Sequence, residues 1–152
     1  MSDLVRHGGA PFRWAGVPVL AYKEEGTHFR DVTRQVLFEP SGTGAGALDV
    51  QLRYFEVAPG GHTTLERHAH EHLVVVLRGP ARCLVGERLH DLEVNDVVHV
   101  PADTWHQFRT GDEGPLGFLC LVRAERDRPR RPTPEELRAL REEPALAAFI
   151  RV

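Results

Sequence analysis

The chain has 152 residues, 41% of them hydrophobic and 27% charged, with a formal net charge of −3. That is the size of one soluble globular domain, large enough to bury a core without needing a disulfide or metal to fold. The weak acidic balance gives no basis for a nucleic-acid or anionic-membrane partner. No apolar run approaches a membrane span, and "MSDLVRHGGAPFRW" lacks a signal-peptide core, so a cytoplasmic location is expected.

In chain order, "VPVLAY" (17–22) is short, apolar and bounded by charge, which predicts a strand. Phe29 to Phe38 alternates and is rich in β-branched and aromatic residues, predicting a second strand or pair of strands. "SGTGAGA" (41–47) is a loop; it lacks the Lys-Ser/Thr ending of a phosphate loop. Leu48 to Ala58 alternates cleanly and predicts a long strand. Here Gln51, Arg53 and Phe55 share one face and Leu52, Tyr54 and Glu56 the other. Which face looks inward is open; if the first does, Arg53 becomes a candidate clamp for an anionic substrate.

Further strands are predicted over 73–78, 82–85, 97–100, 107–109 and 116–123, separated by turn sequences such as "RGP", "VGE" and "GDEGP". Short strands at this spacing indicate an all-β barrel or sandwich. The segment "RAERDRPRRP" carries five arginines from Arg123 to Arg131, which suggests an anion-binding patch, but with Glu125 and Asp127 interleaved and an acidic chain it reads rather as a solvated linker. Beyond it, Thr133 as N-cap, Pro134 at the first helical position and Glu136 closing a capping box predict a helix. Pro144 should break that helix and start a second, packing on the barrel or on another subunit. The organisation is therefore N-terminal strands and loop (1–47), a core barrel (48–123), and a linker with helical tail (124–152), as one domain overall. Cys83 and Cys120 both sit in apolar runs and read as buried, reduced thiols.

The chemistry concentrates in "PGGHTTLERHAHEHLVVVLRG" (59–79), which holds four of the nine histidines and two glutamates within eleven residues. Glu66, His68, His70 and His72 would share a face of a continuous strand. Crowded into a barrel without partners, they would carry a heavy desolvation cost, which a divalent ion relieves by coordinating neutral imidazoles and a carboxylate. Nitrogen and oxygen donors suit Mn, Fe, Ni, Cu or Zn.

The spacing of this segment resembles the cupin superfamily. Gly60, five residues, Glu66, one residue, His68, three residues, His72, six residues, Gly79 reproduces the first cupin motif, with histidine and glutamate exchanged between two places. After fifteen residues the second motif follows: Asn95, five residues, Pro101, one residue, Asp103, two residues, His106, with Thr110 in the place of an asparagine. Asn95 and Asp103 replace motif glycines, and both residue types tolerate positive φ. The resemblance implies a double-stranded β-helix (jelly-roll) barrel, here with a short helical tail, often dimeric. By position it implies one divalent transition metal on Glu66, His68, His72 and His106; the competing set replaces Glu66 with His70. Glu66 is also a candidate base.

Candidates for substrate contact are His99, Arg53 and Trp105, while His7, His28 and His90 read as surface residues. Such a centre supports a metal-dependent dioxygenase acting on a small enol, phenolic or hydroxy-carbonyl substrate, like quercetin dioxygenase. It equally supports a metal-assisted isomerase or lyase, or a non-catalytic barrel that binds or senses a small ligand, and the fold does not choose among them. A homodimer is the expected assembly.

Overall fold

A computed structural model describes residues 4–42 and 44–152. Thr43 of the glycine-rich loop and the first three residues of the N-terminal stretch lie outside them. The chain forms β1 (Leu20–Ala21), β2 (Arg30–Phe38), β3 (Val50–His62), β4 (His72–Arg78), β5 (Ala81–Val85), β6 (Arg88–Leu92), β7 (Val97–Val100), β8 (His106–Arg109) and β9 (Leu116–Arg123). Two helices follow, α1 (Pro134–Leu140) and α2 (Pro144–Phe149). The strands curl into one antiparallel sheet ordered β6-β5-β8-β3-β9-β4-β7, with β2 added to β3 and β1 to β2. This is the all-β barrel with a helical tail that the cupin resemblance implies.

The predicted first strand shrinks to two residues because only Leu20 and Ala21 find partners, on Arg34 and Thr33. β3 runs further than alternation suggested, through Pro59 and Gly60 to His62. Glycines make that extension possible. Gly60 has φ +77, and a Cβ on Gly61 would stand 2.6 Å from the Arg30 carbonyl oxygen. β6 has no counterpart among the predicted strands. "RLHDL" is mostly polar, yet Leu92 is buried and each of its five residues pairs with β5 across the Gly86–Glu87 turn. Gly86, at φ +65, opens that two-residue turn, where a glycine is favoured.

Inside the barrel, Phe55, Val57, Val74, Val76, Phe108, Phe118 and their neighbours form the main core. Phe118 stacks on both Phe55 and Phe108, with ring centroids 5.3 and 4.9 Å apart. The Arg53–Phe55 face of β3 therefore looks inward. Its other face is covered too: Tyr54, fully buried, lies under Phe12 and Trp14 of the N-terminal segment.

The tail packs on its own barrel. Leu146, Phe149 and Ile150 join Leu65 and Leu84 in a second cluster, flanked by Trp105, Leu137 and Leu140. Gln107 pins the end of the chain by donating to the Arg151 carbonyl and accepting from its N–H. Thr133 and Glu136 make the expected capping box at α1. Among the described residues, no helix is long and apolar enough to cross a membrane.

Candidate metal centre

Two chain segments meet at one end of the barrel. Glu66 and His106 exchange backbone hydrogen bonds of 3.2 and 3.0 Å, and Asp103 N–H donates to the His68 carbonyl at 2.7 Å. Asn95 and Asp103, the residues standing in for motif glycines, adopt φ of 76 and 53, the conformation those turns demand. These contacts place His68 ahead of β4, His72 at its first residue and His106 at the first residue of β8. One ring nitrogen from each of the three lies within 4.8 Å of the others.

The outer nitrogens explain why the inner ones converge. His68 Nδ1 faces the His70 carbonyl at 2.7 Å and His106 Nδ1 faces the Thr104 carbonyl at 2.9 Å. A carbonyl oxygen only accepts, so both Nδ1 atoms carry the proton and both Nε2 atoms present lone pairs. His72 Nδ1 lies 3.0 Å from the Cys120 thiol, and its Nε2 stands 2.7 Å from His68 Nε2. Burial, aided by the neighbouring imidazoles and Arg53, drives the His72 pKa far below its ordinary value. Burial likewise pushes His106 down to about 4. His72 and His106 are thereby held neutral, and all three rings turn a nitrogen to one point, which is the donor arrangement a divalent transition ion requires.

His68, His72 and His106, common to both expected ligand sets, are the residues that converge. The two candidates for the fourth place are engaged elsewhere. Glu66, 7% exposed, lines the same cavity, and its Oε2 accepts from Lys23 Nζ at 2.5 Å. His70 stacks on His68 with ring centroids 3.6 Å apart and directs Nδ1 to Asp127 Oδ1 at 2.7 Å.

The cavity holds about 190 Å³ and opens between Arg53, Lys23, Glu66 and the histidines, with Phe108 and Phe118 on its apolar wall. Arg53 lies in it, its guanidinium 4.9 Å over the Phe55 ring. The other two expected substrate contacts do not. His99 is exposed on β7, 2.9 Å from Glu71, because "VVHV" turns its histidine to solvent while Val100 points in. Trp105 stands outside the barrel wall between the guanidiniums of Arg67 and Arg130, at 4.7 and 5.1 Å, where it helps seat the tail.

Several cavity residues were not among the expected site residues. Tyr22, Arg34, Cys120 and Arg126 all line the space. Lys23, the single lysine against eighteen arginines, lines it as well. The supposed linker is part of the site: Asp127 accepts from the Ala69 N–H at 2.7 Å and from the His70 N–H at 3.1 Å, clamping the turn that carries the histidines.

Known proteins are similar to this chain in sequence and fold. The family model described as "Cupin domain" matches residues 53–122. The chain is 53% identical over 140 residues to a Rhodospirillum rubrum protein named 1-methylthio-D-xylulose 5-phosphate methylsulfurylase, covering 91% of this chain and 86% of that one. A cupin 2 conserved barrel domain protein from Rhodopseudomonas palustris has a crystal structure that superposes with a TM-score of 0.88 at 47% identity, covering 98% of this chain and all (100%) of that one. A cupin-2 domain structure from Rhodospirillum rubrum gives 0.82 at 51% identity, over 95% of this chain and 94% of that one. With its barrel, its paired motifs and these relatives, the chain belongs to the cupin superfamily.

Proposed function

We propose that this protein is an enzyme that removes the methylsulfanyl group from a methylthio-substituted ketose phosphate. The carrying observation is a cluster of three converging histidines inside a small cavity, in a chain 53% identical to a relative named for that substrate.

In such a substrate the carbon–sulfur bond is adjacent to the ketone. Breaking it with the electron pair left on carbon yields an enolate. The methylsulfanyl group passes to the thiolate of a thiol co-substrate, forming a sulfur–sulfur bond, and the enolate carbon takes up one proton. Held by His68, His72 and His106, a divalent ion would supply Lewis acidity at the ketone oxygen, where that negative charge develops.

The protein's own groups would manage the proton and the surroundings. Lys23 Nζ, hydrogen-bonded to Glu66 at the cavity edge, is placed to give a proton to the carbon and regain one from water through that pair. Burial, with the Glu66 carboxylate beside it, holds the Tyr22 hydroxyl protonated far above its ordinary range, so it serves as a donor and does not ionise. Phe55, Phe108 and Phe118 form a dry wall behind the reacting carbon.

Dioxygenase, isomerase or lyase, and simple ligand binding would use the same centre, and one assay separates the proposal from the first and the last of them. The protein is loaded in turn with Mn, Fe, Ni, Cu or Zn and given 1-methylthio-xylulose 5-phosphate with a thiol under an oxygen electrode. A mixed methyl disulfide formed without oxygen uptake supports the proposal. Stoichiometric oxygen uptake would favour an oxygenase, and no turnover with any metal a binding barrel. Beyond the small substrate, the proposed partner is a second copy: Leu73 and Val97 are 42% and 63% exposed on adjacent strands of the outer sheet face. A monomer mass in light scattering would remove that assembly. Both cysteines are free, which suits the reducing cytoplasm proposed as the compartment.

A further inference from the structure

Three guanidiniums line the histidine cavity without a counter-ion. They are Arg34 on β2, Arg53 on β3 and Arg126 in the segment before α1. Several other arginines find a carboxylate: Arg78 on Glu56, Arg82 on Asp91, Arg123 on Asp49, Arg130 on Glu136. Among the described residues these three make no ion pair.

Their hydrogen bonds go to neutral acceptors, which orient a guanidinium but leave its charge in place. Arg34 Nε donates to the Ala21 carbonyl at 3.2 Å. Arg126 donates to the Arg123 and Ala124 carbonyls and to Gln51 Oε1, each at 3.0–3.1 Å. Arg53 reaches only the Cys120 sulfur, at 3.5 Å, and its Nε is buried without any partner. Leaving such a donor unsatisfied is costly, and so is gathering like charges at a low-dielectric cavity.

The three act on one another. After burial, the charges of Arg53 and Arg34 are what lower the Arg126 pKa, and the Arg53 charge also reaches His72. The one carboxylate that lines the cavity, Glu66, is occupied by Lys23. The cavity thus has a cationic side that no carboxylate among the described residues neutralises, next to the imidazoles.

We infer that Arg34, Arg53 and Arg126 form a subsite for a phosphoryl dianion, the charged end of the substrate whose ketone faces the histidines. This rests on the proposed function for the identity of the whole substrate, but not for the anion. Guanidinium forks match phosphate oxygens in pairs, and a dianion suits three clustered cations better than a monoanion does. It would also give the Arg53 Nε an acceptor.

The test uses the intact protein and inorganic phosphate, followed by calorimetry, with acetate as the monoanion control. Phosphate should bind at least about ten-fold more tightly than acetate, and more weakly as chloride is raised. Arg53→Met and Arg126→Gln should each weaken phosphate about ten-fold or more. Arg126 is exposed, so its variant keeps the test alive should Arg53→Met fail to fold. Unchanged phosphate affinity in Arg126→Gln, or acetate binding as tightly as phosphate, overturns the subsite.

Turnover separates this inference from the function it builds on. With methylthio-xylulose phosphate, Arg126→Gln should raise KM about ten-fold while kcat stays within about two-fold. Turnover with KM unmoved would sink the subsite and leave the activity standing. No turnover by the parent protein, with the phosphate pattern intact, would sink the activity and leave the subsite.

Discussion

His68 Nε2 stands 2.7 Å from His72 Nε2 while the proton of His68 is committed to the His70 carbonyl on the other side of the ring. Two imidazole nitrogens at that distance need a proton or a cation between them.

Metal content is the direct check. Untagged protein should carry close to one divalent transition ion per chain, and His72→Gln should carry less than about a tenth of that. An ion present at a hundred times its Kd stabilises by about 2.7 kcal/mol. Chelation should then lower Tm by roughly 5–10 °C for a chain of this length. A melting temperature indifferent to chelator would contradict a resident metal.

The Cys120 thiol touches the outer nitrogen of His72 at 3.0 Å and so helps set which way the ring presents its lone pair. Cys120→Ala removes that contact and should weaken metal binding about ten-fold, whereas Cys120→Ser should restore most of it. Competition with a chromogenic chelator reads both. Equal affinity in all three proteins would show that the thiol is only packing.

Much of this was legible from residue spacing. The distances Gly60 to Gly79 and Asn95 to His106 depend on local turns, and local turns are written in consecutive residues. Asn95 and Asp103 took positive φ where glycines were expected, as their side-chain chemistry allows. The capping box at Thr133 was equally local. What could not be read is whatever depends on tertiary neighbours. β6 is polar and becomes a strand only because β5 offers a full register. His99 sits in an apolar run yet faces solvent, since a one-residue shift in a strand reverses its face. Asp127 and Arg126 look like linker because the partners that fix them, His70 and Gln51, lie 57 and 75 residues earlier in the chain.

The buried histidines make acid the weak side of the metal-free protein. His106 titrates at about 4 when folded, against 6.5 for an exposed imidazole. Between these values the unfolded chain binds more protons, so stability rises with pH. The contribution is complete above about 6.5 and lost as pH falls through about 4. Melting of chelated protein across that window should show a steady drop in Tm, shallower in His106→Gln. A parallel slope in both proteins would assign the loss to other groups.

Asp127 connects the tail segment to the metal end of the barrel. Its carboxylate accepts from the Ala69 N–H, the His70 N–H and His70 Nδ1, and the His70 carbonyl in turn fixes His68. These donors hold the Asp127 carboxyl down at about 2, below its ordinary 3.8. The clamp is therefore fully formed above pH 3.8 and lost only as pH falls through about 2. Asp127→Ala leaves the turn without its acceptors, and His68 should lose orientation more than the barrel loses stability. Metal affinity should fall about ten-fold, the scale of outer partners of metal ligands, while Tm of the chelated protein moves by only a few degrees. Asp127→Asn keeps an acceptor oxygen for one of the N–H groups and should fall between the two. An alanine variant that binds metal like the parent would show that the turn holds its shape without the clamp.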